Sequence, residues 1–209
     1  TAEESIKKQD PPVSRINLHD LTEAPVDWAK LEQGIHGKIA RTPDKKPRKH
    51  QLEAIQKTKG YFKQHDRGKL IMACGTGKTF TSLRIAETET KNKGLILFLV
   101  PSIGLLGQAL RAWSADAQEE INAICICSDP KISKDTQQGS DSDTFSIVDL
   151  AYPASTDTEN ILQQFNEIKQ KNSTGMTVVF STYQSIDVIS EAQKKLLENG
   201  YQEFDLIIC

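Results

Sequence analysis

The sequence lacks any long hydrophobic run and any excess of charge of one sign. Of its 209 residues, 26 are Lys or Arg and 28 are Asp or Glu, which gives a net charge of −2 at pH 7. A nearly neutral chain has no global positive field to attract nucleic acid, so any such contact must be local. No apolar run approaches the length of a membrane span, and the polar first ten residues contain no secretory signal. We therefore expect a cytoplasmic protein with no membrane partner.

Cysteine is scarce, and its spacing does not suit a metal site. The four cysteines are Cys74, Cys125, Cys127 and Cys209. Cys125 and Cys127 alternate on one predicted strand and therefore share a face, with no pair of histidines near them. We expect reduced thiols, typical of the cytosol, and no zinc.

Both ends of the chain are unlike natural termini. The first residue is not methionine, and the last six residues, FDLIIC, form an apolar run with no polar tail. We expect a fragment of a longer protein, with room for one substantial α/β domain and a short extra segment.

The sequence changes character near residue 46. Residues 1–45 are polar and punctuated by proline, and their few apolar residues cannot close a core, so we predict an N-terminal arm or linker that packs on its neighbour. From residue 46 to 209, helical apolar spacing alternates with short apolar runs. We predict an α/β lobe over 46–209, with a parallel sheet sandwiched by helices.

The predicted strands are continuous apolar runs, which are typical of parallel strands buried on both faces. They are KLIMA, GLILFLV, INAICIC, MTVVFST and FDLIIC. The predicted helices between them are PRKHQLEAIQKTKGYFKQHD, KTFTSLRIAET, GLLGQALRAWSADA, ENILQQFNEIKQ and SIDVISEAQKKLLEN. The polar stretch SDPKISKDTQQGSDSDTFS predicts a long surface loop.

A glycine-rich turn lies between KLIMA and the next predicted helix. Gly75 and Gly77 let the backbone wrap closely, so that successive N–H groups point at phosphate oxygens. The helix start adds its positive dipole end, Lys78 adds a mobile charge, and the Thr79 hydroxyl can ligate Mg²⁺. The full phosphate-loop pattern would have glycine where this chain has Met72. A chance Gly-Lys-Thr is the alternative, but the flanking strand and helix favour nucleotide binding.

Four further stretches occur with this turn in an order that identifies a family. ACGTGKT resembles motif I of superfamily 2 helicases and translocases, in which the first glycine is commonly absent. PRKHQLEAI resembles their adenine motif, with Arg48 and Gln51 in the R-x-x-Q arrangement. LVPSIGLLGQ is similar to motif Ia, VVFSTYQSI to motif Ib or Ic, and FDLIIC to the strand before the Asp-Glu box. The resemblance covers about residues 45 to 209.

The resemblance implies the first RecA-like P-loop NTPase lobe of an ATP-dependent DNA helicase or translocase. MACGTGKTFTSLRIAE and VPSIGLLGQALRAW are closest to the motors of restriction enzymes, both the type I and III subunits and the single-polypeptide restriction-modification enzymes. The resemblance therefore implies ATP and Mg²⁺ as cofactors, sequence-independent contact with the DNA backbone, and a second motor lobe. In the single-polypeptide enzymes a nuclease domain precedes the motor and a methyltransferase follows it.

The nucleotide-binding residues expected from the motifs are Arg48, Gln51, Cys74, Gly75, Thr76, Gly77, Lys78 and Thr79. Lys78 is also the one catalytic residue expected, by stabilising phosphate. A glutamine amide can pair with adenine N6 and N7, although Gln51 could instead be a solvated helix residue. Arg48 could brace the loop. Trp28 could stack on adenine or anchor the arm by burial. The four histidines have no ligand or catalytic spacing, and we assign them no role.

Four residues that follow predicted strands are the DNA-binding candidates. Pro101 and Ser102 follow the second strand, and Thr182 and Tyr183 follow a later one. Ligands of parallel sheets bind beyond the carboxyl ends of strands, where hydroxyl and N–H groups can hold phosphates without reading sequence. Ordinary helix capping by Ser and Thr is the alternative.

Hydrolysis requires groups that the resemblance places beyond residue 209. This chemistry needs carboxylates that hold Mg²⁺ and orient water, and usually an arginine finger. In the family the carboxylates follow the strand that FDLIIC resembles, so we expect the fragment to bind nucleotide weakly without hydrolysing it. A degenerate nucleotide-binding scaffold and another adenine-nucleotide P-loop enzyme remain alternatives; the guanine motif N-K-x-D is absent from the sequence.

Overall fold

The structure is a computed structural model that describes residues 18, 21, 26–35, 45–127, 154–171 and 174–209. The long predicted loop at 128–146 and most of the arm lie outside the described residues. The helices are α1 (Trp28–Glu32), α2 (Lys49–Tyr61), α3 (Lys78–Thr90), α4 (Ile103–Asp116), α5 (Thr158–Gln170) and α6 (Ile186–Glu198). A 3₁₀ turn over Tyr183–Ser185 leads into α6.

The strands form one parallel sheet, which confirms the predicted class. They are β1 (Leu95–Val100), β2 (Asn122–Ile126), β3 (Thr177–Thr182) and β4 (Leu206–Ile208), in the order β2-β3-β1-β4. Phe98 lies opposite Phe180, and Val100 opposite Thr182. All six residues of β1 are buried, as expected for a strand covered on both faces.

Side chains of β1 alternate between two cores because successive strand residues point to opposite faces of the sheet. Ile96, Phe98 and Val100 contribute to the first core, and Leu95, Leu97 and Leu99 to the second. We call the first the α3–α4 face; it includes Leu83, Ile96, Phe98, Leu106, Leu110, Trp113, Val178 and Phe180. We call the second the α5–α6 face; it includes Leu97, Ile124, Ile161, Phe165, Val179, Ile189 and Leu196.

The prediction of a strand at KLIMA, residues 69–73, is wrong. Residues 69–73 have no strand structure, and Leu70 and Ile71 are 47% and 84% exposed. An apolar run forms a strand only where its backbone finds a partner. Among the described residues, segment 69–73 pairs with no strand of the sheet. The glycine-rich turn therefore connects an exposed segment to α3. Of the strand and helix predicted to flank the turn, only the helix forms.

Side-chain caps fix the starts of two helices on opposite faces of the sheet. The Ser102 hydroxyl accepts a hydrogen bond from Leu105 N at the start of α4, and Asp157 accepts one from Glu159 N at the start of α5. These bonds satisfy N–H groups that the first helical turn leaves without partners. Among the described helices, none has the length and apolar character needed to cross a bilayer.

Candidate functional site

The turn over residues 73–78, which we call the phosphate loop, is shaped by two glycines in the left-handed region. Gly75 has φ 74° and Gly77 has φ 80°, a conformation that side chains with a Cβ rarely adopt. Thr76 Oγ1 donates to Ala73 O at 2.7 Å and closes the turn. Lys78 Nζ donates to the same carbonyl at 3.4 Å, so its amine reaches back across the loop.

The start of α3 adds an anion-binding end to this loop. Gly77 is the N-cap, it has no side chain to bond the helix N–H groups, and the first turn contains no acidic residue. Free N–H groups and the helix dipole together favour an anion at such an end. With the Lys78 amine beside them, these groups form a donor set that fits a polyphosphate.

Gln51 connects the start of α2 to the phosphate loop through the two ends of its amide. The side chain is 5% exposed; its Oε1 accepts from Arg48 N at 2.8 Å, and its Nε2 donates to Thr76 O at 3.0 Å. A Cβ at position 77 would lie 2.5 Å from Gln51 Nε2. Glycine at 77 therefore serves two needs, the left-handed backbone and the close approach of α2.

His50 is a contact of the loop that the sequence did not reveal. Its Nε2 lies 3.1 Å from Thr76 O, the carbonyl that Gln51 also contacts. A single histidine beside the adenine motif has no spacing that predicts a partner, because the contact spans 26 residues and depends on how α2 packs against α3. The start of α2 thus holds the loop through two side chains.

The remaining predicted nucleotide residues differ in their relation to the loop. Cys74 and Thr76 belong to it, with Cys74 exposed and its thiol free. Thr79 is the second residue of α3. Arg48 is the exposed N-cap of α2, and its backbone N–H is held by Gln51. Trp28 is 46% exposed in the five-residue α1, which does not favour anchoring by burial.

A buried ion pair behind the loop also escaped the sequence analysis. Arg84 and Glu87, one turn apart on α3, pair at side-chain exposures of 6% and 4%. Arg84 also donates to Asp116 O at 3.0 Å, and Glu87 Oε1 accepts from Gln118 N at 2.8 Å. Charged residues on the buried side of an amphipathic helix were the available signal. The pair fixes α3 against the C-terminal end of α4.

The first residues of the lobe join the same network. Lys45 forms an ion pair with Asp116 at 2.8 Å, and the Lys45 carbonyl accepts from Arg84 at 3.4 Å. The segment leading into α2 is therefore attached to both α3 and α4.

The four DNA-binding candidates meet at one edge of the sheet. Because Val100 and Thr182 are register partners, Pro101–Ser102 and Thr182–Tyr183 leave β1 and β3 side by side. Gln184 Nε2 donates to Pro101 O at 3.4 Å and connects the two strand ends.

These candidates differ in what they present to solvent. Pro101 and Ser102 are exposed, and Tyr183 is 43% exposed, whereas Thr182 is only 3% exposed. The Thr182 hydroxyl lies 3.5 Å from that of Ser185. Ser102 and Tyr183 can therefore contact a partner directly, while Thr182 stabilises the turn between them.

The described residues provide only part of a coordination shell for Mg²⁺. Within the described residues, no group of three or more His, Cys, Asp or Glu side chains is arranged to hold a metal ion. The Thr79 hydroxyl and the oxygens of a bound nucleotide are the ligands that this arrangement fits.

Comparison with known proteins places this arrangement in a family. A family model for the res subunit of type III restriction enzymes matches residues 44–209. A second family model, for a restriction endonuclease, matches residues 1–38. No curated protein gives a significant match to the chain.

Two solved structures are similar to the chain. The ATP-dependent type ISP restriction-modification enzyme LlaBIII bound to DNA is 37% identical, with a TM-score of 0.80 over 99% of this chain and 13% of that one. A nuclease-deletion mutant of the type ISP enzyme LlaGI, in complex with a DNA substrate mimic, is 45% identical, with a TM-score of 0.63 over 78% of this chain and 15% of that one. The chain thus spans about a seventh of the length of each. Since the first family model covers most of the sequence, the protein belongs to the family of the type III restriction enzyme res subunit.

Proposed function

We propose that this chain is the ATP-binding first lobe of a DNA translocase motor in a restriction-modification enzyme. The observation that carries the proposal is the phosphate loop joined to the adenine motif through Gln51 and the Thr76 carbonyl. The ATP-dependent, DNA-bound type ISP relative supports it. A phosphate loop alone would suit many NTPases, whereas its joining to the helix that carries Arg48 and Gln51 adds an amide that can pair with adenine.

The loop residues have separate tasks when nucleotide binds. The Lys78 amine, now on the Ala73 carbonyl at 3.4 Å, exchanges that neutral acceptor for charged oxygens of the β- and γ-phosphates. The N–H groups at the start of α3 hold the same phosphates. Mg²⁺, when bound, neutralises phosphate charge, and Thr79 is its ligand in this chain.

Gln51 can read adenine without leaving the loop. An amide has two N–H hydrogens and two acceptor lone pairs, and the structure uses one of each. The second hydrogen and lone pair match adenine N7 and the N6 amino group, whereas guanine has the O6 acceptor where adenine has the N6 donor. Arg48 remains at the rim of this site, and Trp28 is the candidate to cover the base from the other side.

DNA contacts are proposed at the shared end of β1 and β3. Ser102 and Tyr183 offer an exposed hydroxyl and an exposed aromatic ring with Pro101 between the strand ends, and Thr182 supports the turn. Such groups bind phosphates without reading bases, as a motor that moves along DNA requires.

The complete enzyme needs parts outside this chain. We propose a second motor lobe, a nuclease domain to which residues 1–38 contribute, and a methyltransferase domain. Because the resemblance places the carboxylates that hold Mg²⁺ after the strand that FDLIIC resembles, we expect this chain to bind ATP without hydrolysing it.

Calorimetric titration of the chain with MgATP tests the proposal. Lys78→Ala should abolish binding, because the loop then loses its only mobile charge. Lys194→Ala, which removes an exposed lysine of α6 on the far side of the sheet, should leave binding unchanged. Failure of the unmodified chain to bind ATP would contradict the proposal. A magnesium-dependent ATPase rate abolished by Lys78→Ala would show that the fragment is active after all.

A further inference from the structure

Trp113 joins the core of the α3–α4 face to the nucleotide site. It is fully buried and belongs to α4, where its ring packs edge-on against Phe98 and Phe180, with centroids at 5.1 and 5.9 Å. Its indole Nε1 donates to Thr79 O at 3.1 Å, across 34 residues of sequence. The acceptor is the backbone of the residue whose hydroxyl is the Mg²⁺ ligand under the proposed function.

The acceptor of the Trp113 hydrogen bond is unusual for a buried indole N–H. A buried tryptophan N–H needs some partner, and side chains or loop carbonyls commonly provide it. The Thr79 carbonyl lies in the first turn of α3, where it already serves the helix bond to the amide four residues later. It also accepts from Ser82 Oγ at 2.8 Å. Two side-chain donors therefore converge on one helical carbonyl beside the phosphate loop.

The packing of α3 on α4 keeps the indole in place. Arg84 bonds the Asp116 carbonyl and Glu87 bonds the Gln118 N–H, so the end of α4 that carries Trp113 is fixed against α3. The ring cannot slide along α3 without breaking these buried charged bonds, which are costly to leave unpaired.

We propose that Trp113 is a positioning residue, which holds the first turn of α3 so that Thr79 presents its hydroxyl to nucleotide-bound Mg²⁺. This inference rests on the proposed function for the identity of the ion. Trp113 itself touches neither nucleotide nor metal, and acts only through the Thr79 backbone.

The test compares Trp113→Phe, which keeps a ring in the core but removes the N–H, with Phe98→Leu. The control perturbs the same aromatic cluster without touching the donor. Ser82→Ala, at a half-buried position, removes the second donor to the carbonyl and carries the test if Trp113→Phe does not fold. Amide hydrogen exchange over residues 78–83 is measured in the nucleotide-free chain, and ATP affinity is measured with Mg²⁺ and with EDTA.

Loss of the indole donor should speed exchange in the first turn of α3 and weaken MgATP binding by about 3- to 10-fold, the effect of one hydrogen bond. ATP binding in EDTA should change less, because Thr79 then has no ion to hold. Ser82→Ala should act in the same direction, and Phe98→Leu should lower the melting temperature without altering the Mg²⁺ dependence.

Two results would overturn the inference. Equal weakening with Mg²⁺ and with EDTA would make Trp113 a structural residue only, as would unchanged exchange over residues 78–83. If the unmodified chain bound no nucleotide, the proposed function would fail, and the exchange measurement would still report separately whether the indole holds the turn.

Discussion

The two faces of the sheet are built differently although one set of strands supplies both. On the α5–α6 face the ion pair of Lys195 with Glu159 lies at side-chain exposures of 32% and 72%, and the fully buried Ser181 hydroxyl donates to Ile126 O. The α3–α4 face has a buried pair, Arg84 with Glu87, and a buried indole bonded to a backbone carbonyl. Apolar packing supports a sheet without specifying a unique position for each helix. Directional bonds between buried groups specify position. On the face that carries the phosphate loop they join two helices, α3 and α4, whereas the Ser181 bond on the other face joins strands β3 and β2.

The largest expected difference between the faces concerns their ion pairs. Glu87→Ala leaves Arg84 buried without its partner, so the free energy of unfolding should fall by about 3–5 kcal/mol. Urea denaturation measures it. Glu159→Ala, on the other face, should change the midpoint little, because solvent screens that pair. Equal effects of the two substitutions would contradict the distinction between the faces.

The second prediction concerns Gln51, which both braces the loop and faces the base site in our proposal. Gln51→Ala should weaken ATP binding by ~1–3 kcal/mol, as for a bidentate base contact. Gln163→Ala, which removes an exposed glutamine of α5, is the matched control. The measurement is calorimetric titration with ATP and with GTP.

The GTP titration separates the two roles of Gln51. If Gln51 only braces the loop, Gln51→Ala should weaken the binding of ATP and GTP equally. If Gln51 reads adenine, the substitution should weaken ATP binding alone and reduce the preference for ATP over GTP. If the unmodified chain bound ATP and GTP equally, adenine reading by Gln51 would be refuted.

A smaller effect, on DNA affinity, is expected from substitution of the candidate DNA-binding residues. Ser102→Asp keeps a good N-cap for α4 but adds a negative charge where we propose a phosphate. DNA affinity should fall by about threefold or more at low salt, and the difference should shrink as salt rises, because ions screen exposed charges. The matched change Asp157→Ser, at the cap of α5, should leave DNA binding unaltered.

A salt titration on several duplex sequences sharpens this prediction. Each phosphate neutralised contributes about 0.9 to the slope of log K against log salt. With few cationic contacts and a net charge of −2, the chain should show weak, sequence-independent binding and a shallow slope. Tight binding, or preference for one DNA sequence, would contradict the proposal of a motor lobe and would favour a dedicated DNA-recognition module.

The smallest change is confined to one thiol. Cys74 in the loop is exposed, whereas Cys125 and Cys127 are buried in the α3–α4 face, and burial raises the pKa of the Cys125 thiol. MgATP should slow alkylation of Cys74, and Cys125 and Cys127 should stay unmodified at neutral pH. Mass spectrometry of alkylated peptides gives the rates. Unprotected Cys74 would mean that nucleotide does not cover the loop.

Most of the sheet was predictable because its strands are continuous apolar runs. GLILFLV and MTVVFST form β1 and β3 within a residue of the predicted limits. KLIMA is also mostly apolar but forms no strand, since strand pairing depends on a neighbouring strand that local composition does not reveal. The helices were predictable for a similar reason: apolar spacing and nearby glycine or proline are local signals.

The site was predictable where one short segment carries the chemistry. Gly75 and Lys78 act within the turn, and the left-handed backbone of Gly77 is also a local need, although its close approach to Gln51 is not. His50 and Trp113 were not assigned roles, because each acts on a partner 26 or 34 residues away. Arg84 and Glu87 are close in sequence, but they also bond Asp116 and Gln118, about 30 residues further along.

The sequence by itself determined the class of fold, the phosphate loop and the family resemblance, since apolar period, left-handed glycines and a lysine at a helix start are properties of adjacent residues. Only the tertiary structure decided that Gln51 and His50 share the Thr76 carbonyl, that Trp113 reaches Thr79, and that the ends of β1 and β3 meet. The physical reason is that these contacts form between elements far apart in the chain. Their positions depend on how α2, α3 and α4 pack on each other and on the sheet, and no local pattern encodes that packing.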